Sequence, residues 1–65
     1  MPNIDISPAL NPLEVLLVED YMSKNYSGVT HYTMTGGNEC IWVYYSRINM
    51  YFIFRAGQIH DIQID

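Results

Sequence analysis

The spacing of apolar residues changes once along the chain, near Val29, and that change constrains the fold more than any other feature. Before it, apolar residues recur at the 3.6-residue period of a helix; after it, β-branched and aromatic residues dominate and alternate with period 2. One helix followed by a sheet is therefore expected. A single helix covers a single sheet face, so the second face must be stable in water or against a partner.

The helix start is encoded in Asn11-Pro12-Leu13-Glu14. Asn11 can accept a backbone hydrogen bond as N-cap, Pro12 takes the first helical position where its missing N–H costs nothing, and Glu14 has capping-box spacing. The helix is expected over residues 12–25. On a helical projection Val15, Leu17, Val18, Tyr21 and Met22 share one arc, with Glu19, Asp20, Ser23 and Lys24 opposite. Asn25 or Gly28, both tolerant of left-handed backbone, would end it. Residues 1–10 read as an N-terminal arm, in which the Ile4/Ile6 alternation suits an edge strand and Ser7-Pro8 a single turn.

Four strands are expected, at 29–35, 40–46, 50–54 and 59–64, broken by Gly36-Gly37-Asn38-Glu39, Arg47-Ile48-Asn49 and Arg55-Ala56-Gly57-Gln58. Each break contains glycine or asparagine, which accept positive φ. The expected architecture is α+β: one domain over residues 1–65, with an N-terminal amphipathic helix packed on one face of a four-stranded antiparallel meander.

Two-residue loops at Gly37-Asn38 and Ile48-Asn49 and a three-residue loop over 56–58 sort the side chains by parity. The face toward the helix would carry Tyr32, Met34, Ile41, Val43, Tyr45, Met50, Phe52, Phe54, His60, Ile62 and Ile64. The other would carry His31, Thr33, Thr35, Cys40, Trp42, Tyr44, Ser46, Tyr51, Ile53, Arg55, Ile59, Asp61 and Gln63. A solvated face normally reads Thr, Lys, Glu and Ser; this one gathers Trp42, Tyr44, Tyr51 and Ile53 in its central strands, and such residues mark interfaces. The competing explanation is that aromatics stiffen a marginal sheet through cross-strand pairs.

Charge and cysteine content narrow the function classes. Three basic residues, Lys24, Arg47 and Arg55, against seven acidic ones give a net charge of −4, which disfavours nucleic acid because phosphate neutralisation supplies most non-specific affinity for it. Cys40 is the only cysteine, which excludes a disulfide framework and fits a reducing, cytoplasmic setting. The N-terminus has no basic-then-apolar pattern of a secretion signal, and no apolar run approaches the roughly 20 residues of a membrane span.

Catalytic, metal and cofactor roles find little support. His31, Cys40 and Asp61 share a face and superficially offer a base, a nucleophile and an orienting carboxylate, but nothing is placed to supply an oxyanion hole. His31, His60 and Asp61 lack metal-ligand spacing, and Gly36-Gly37-Asn38 lacks the lysine and following helix of a phosphate loop. Glu14, Glu19 and Asp20 make an acidic helix surface that could meet a basic partner, although a solvated helix face with charges favourable to its positive end is the preferred explanation. The expectation is a small non-enzymatic binding protein: an inhibitor, immunity or regulatory factor of the size that viruses and mobile elements encode, without cofactor. Its partner would be another protein, met by Trp42, Tyr44, Tyr51, Ile53, Arg55 and His31 on the sheet and by Glu19 and Asp20 on the helix. Homodimerisation through the aromatic face, and base stacking by a single-stranded nucleic acid, are the alternatives.

Overall fold

The computed structural model describes residues 3–37 and 39–65. Helix α1 spans Pro12–Asn25, as the sequence predicts. Asn11 Oδ1 accepts the Leu13 amide at 2.9 Å, so the cap forms on the second helical residue. The helix does not end in a left-handed residue at Asn25 or Gly28. Tyr26 closes it with φ −136° and ψ 48°, donating its N–H to the Met22 carbonyl at 2.8 Å.

The sheet has five strands, not four, and is mixed rather than purely antiparallel. β1 (Asn3–Ile6) precedes the helix and pairs in parallel with β2 (His31–Gly37); β3 (Cys40–Tyr45), β4 (Ile48–Arg55) and β5 (Gln58–Ile64) follow as an antiparallel meander, giving the order β1-β2-β3-β4-β5. The supposed arm is thus an integral edge strand, and the helix is the crossover between two parallel strands. Fourteen helical residues rise about 21 Å, enough to carry the chain back to the start of the sheet. The result is a two-layer α+β fold. Among the described residues, no helix is long and apolar enough to cross a membrane.

Two turns fall away from their expected positions. β2 and β3 pair Gly37 with Cys40, so the expected Gly37-Asn38 loop moves on by one residue; Asn38 itself lies outside the described residues. The β3–β4 turn is Ser46-Arg47, both at positive φ, while Asn49 and Ile48 lie inside β4. Turn propensity favours Asn49, but a turn there would strand Ile48; in the observed register Ile48 faces Tyr45 and both pack against the core. Each shift moves the opposing residue by an even number, so the faces survive.

The β4–β5 turn does change a face. Ala56-Gly57 forms a two-residue loop with both φ positive, and Phe54 then pairs with Ile59 while Ile53 pairs with Asp61. His60 is the extra residue of a β-bulge. Contrary to the parity expected from a three-residue loop, Ile59 packs on the core beside Phe54 and His60 is exposed. The bulge exchanges an inward imidazole for an inward isoleucine.

The core lies between α1 and the inner sheet face. Met34, Val43 and Met50 are opposite one another across three strands, Ile41 faces Phe52, and all five are fully buried with Val18. Tyr21 stands edge-on over Phe52 at 5.4 Å. At the margin the expected core thins: Tyr45 and Ile62 are half-buried and Ile64 is exposed. The helix is also rotated from its expected pose. Val15, Val18 and Met22 point down, Leu17 moves to the exposed rim, and Glu19 turns partly inward.

Candidate partner-binding face

The outer sheet face is built by strand parity. Thr35, Trp42, Tyr51 and Gln63 form one row across four strands; Thr33, Tyr44 and Asn49 form the next, and Cys40, Ile53 and Asp61 a third. Among the described residues no element covers these rows, since α1 packs on the opposite side. Trp42 and Tyr44 therefore remain 48% and 47% exposed, while Tyr51 and Ile53 are half-buried by their neighbours. Trp42 and Tyr51 meet edge to face, with ring centroids 5.3 Å apart.

Charge is confined to the margin of this face. Arg55 ends β4 opposite Gln58, Asp61 lies on the outer strand β5, and Asp5 lies on β1 opposite Thr33; all three are exposed. His31 starts β2, and with Asp5, Thr33 and Tyr44 it lines a shallow depression of about 310 Å³. An uncharged aromatic centre inside a polar rim is the usual anatomy of a protein interface.

Six of the eight expected site residues, Trp42, Tyr44, Tyr51, Ile53, Arg55 and His31, thus share one surface. Glu19 and Asp20 do not; they ride on α1, in the other layer. Asp20 is paired with Lys24 at 3.1 Å, which offsets its charge locally. Glu19 is half-buried near Tyr32, whose hydroxyl is pushed above its ordinary pKa by burial and then by the Glu19 charge.

The residues weighed for catalysis are dispersed. Cys40 is opposite Gly37, six positions along β2 from His31, a separation of about 20 Å at strand rise. Cys40 and Asp61 flank Ile53 on either side, two strand spacings apart. Among the described residues no three His, Cys, Asp or Glu side chains gather where they could hold a metal.

One surface escaped the sequence reading. Leu13 and Leu16 are 72% and 61% exposed on the outer side of α1, next to Leu17. The signal was the four-residue run Val15-Leu16-Leu17-Val18, which circles a helix and so cannot be buried on one side.

No protein-family model, no curated protein and no solved structure matches this chain significantly.

Proposed function

We propose that this protein acts without catalysis, by binding another protein through the outer face of its sheet, in the manner of an inhibitor, immunity or regulatory factor. The observation that carries this reading is the side-by-side exposure of Trp42 and Tyr44 on a sheet face that no other element covers among the described residues. An aromatic side chain buries about 150–250 Å², so covering the exposed half of each contributes about 2.5 kcal/mol at 25 cal/mol per Å². The two together roughly match the lower end of the 4–15 kcal/mol that association costs. Net affinity then requires Tyr51, Ile53 and the rim residue Arg55 as well, which makes the whole face, rather than a single side chain, the unit of recognition.

The acidic residues of α1 belong to a separate surface, so one flat partner does not engage both. Arg55 is the lone arginine or lysine on the aromatic face among the described residues, which weighs against a nucleic-acid strand stacked there.

The test is affinity capture with the wild-type chain and with the Trp42→Ala/Tyr51→Ala variant, beside sedimentation of both at micromolar concentration. A partner captured by the wild type and lost by the variant, with the wild type monomeric when alone, supports the reading. A wild-type dimer that the variant dissociates assigns the face to self-association. Capture that is indifferent to both substitutions refutes a role for the face.

A further inference from the structure

The sheet has two free edges, and they are finished differently. On β5, Asp65 donates inward to the Asn49 carbonyl at 2.8 Å, so by alternation the amides of Ile62 and Ile64 point outward. The Asp61 carboxylate accepts the Ile62 N–H at 2.9 Å, and the bulge at His60 interrupts the strand. Both devices blunt an edge against further pairing. On β1, Ser7 donates inward to the Met34 carbonyl at 3.0 Å. In a parallel pair this sends both the N–H and the C=O of Ile4 and Ile6 away from the sheet, and among the described residues nothing bonds them.

Beside that open edge, a largely apolar groove of about 450 Å³ lies between Ile4 of β1, the second half of α1 and the connection over residues 26–30. Ile4, Met22, Val29 and Tyr32 give it apolar walls, and Leu16, Glu19 and Asp20 of the helix also line it. Glu19 is half-buried, and among the described residues the one basic side chain in an ion pair, Lys24, is committed to Asp20. The groove therefore offers main-chain hydrogen-bonding groups at strand spacing, an apolar wall and an uncompensated carboxylate on one side.

We propose that the β1 edge and the groove beside it bind an extended segment of a partner protein as a sixth strand, with an apolar side chain in the groove and a Lys or Arg two residues away facing Glu19. Outward N–H and C=O groups on alternate residues require an extended chain rather than a compact ligand. Side chains two apart in that chain share a face, which puts the apolar and basic residues on the helix side together. A second copy of this chain is disfavoured as occupant, because pairing β1 with β1 would bring together two Glu19 and two Asp5 carboxylates from chains of net charge −4. The site is on the helix side and stands independently of the outer-face reading.

The experiment is an NMR titration of the full chain with the probe acetyl-Thr-Val-Thr-Leu-Thr-Lys-Thr-amide, with the same peptide carrying Glu for Lys, and with one carrying Pro for the Thr between Leu and Lys. The Lys peptide is expected to shift the Ile4 and Ile6 amides and to slow their hydrogen exchange, with the Glu peptide binding about tenfold more weakly and the Pro peptide not binding. Glu19→Gln, isosteric and at the rim, should abolish the preference for Lys over Glu while leaving the spectrum of the free protein folded. Shifts centred on Trp42 and Tyr44 or on β5, a preference for Lys that survives Glu19→Gln, or no saturable binding at millimolar peptide would each overturn the proposal.

Discussion

Trp42 on β3 and Tyr51 on β4 are directly opposed across the sheet, and their rings meet at an interplanar angle of 86° with centroids 5.3 Å apart. The pair sits at the centre of the face that α1 leaves uncovered. The indole packs against Tyr51 and still remains 48% exposed.

Edge-to-face pairs contribute about 0.5–1.5 kcal/mol beyond their buried area. A double-mutant cycle on Trp42→Ala and Tyr51→Ala, read by urea unfolding, should return a coupling in that range. A domain of this size commands only about 3–5 kcal/mol in total, so both single variants should stay folded in the cold. A coupling near zero would mean that the rings touch without supporting each other, leaving recognition as their sole use.

Backbone strain is concentrated in the hairpin turns. Ser46 and Arg47 both hold positive φ, at 46° and 67°, where non-glycine residues cost about 1–2 kcal/mol. Replacing them with Asn and Gly, the preferred residues of this turn type, should stabilise the protein by about 1 kcal/mol and raise Tm by roughly 4–8 °C. Gly36→Ala should do the reverse by about 1–3 kcal/mol, since Gly36 has φ +150° and a Cβ there would collide with the Cys40 carbonyl oxygen. Gly37→Ala, where a Cβ meets nothing, is the control, and calorimetry on the three variants decides the order.

Asp61 closes the β5 edge by accepting the Ile62 N–H. Asp61→Ala should therefore expose a strand edge flanked by Ile62 and Ile64, and sedimentation velocity should show concentration-dependent association absent from the wild type. Asp61→Asn keeps an acceptor oxygen in place and should remain like the wild type. Equal behaviour of the two variants would leave the bulge at His60 as the protecting feature.

Alkaline pH should destabilise the protein through Tyr32. Burial, and then the Glu19 charge, raises its pKa above the ordinary 10.0; burial, and then Tyr26, does the same for Tyr45. The folded state thus keeps a neutral phenol that the unfolded chain ionises, so stability is full below about pH 10 and is lost as pH rises through that value toward the folded pKa. Urea midpoints followed across this range should fall for the wild type and fall less steeply for Tyr32→Phe. Glu19→Gln should lower the Tyr32 titration point in a spectrophotometric titration.

Local signals located α1, because Asn11 and Pro12 act on their own neighbours and need no distant partner. They located the four later strands for a similar reason: side-chain alternation is a property of the strand itself. The pairing of β1 with β2 was not legible, since four residues with two isoleucines specify neither the partner nor the parallel direction. Nor was the bulge, where the gain from turning Ile59 rather than His60 inward depends on Phe54 being opposite. The position of Glu19 depended on the rotation of α1, which the packing of Val15, Val18 and Met22 on the sheet sets.

The amino-acid sequence alone determined which residues of the central strands share the outer face, because a period of two is insensitive to even shifts in register; Ile59, beside the bulge, is the exception. Trp42, Tyr44, Tyr51 and Ile53 stay together even though two turns lie away from their expected positions. Only the tertiary structure decided that Glu19 and Asp20 belong to a different surface, and that β1 stands open beside an apolar groove while β5 is closed. Those outcomes follow from where the helix crosses the sheet, a balance of burial between segments far apart in the chain that no local pattern records.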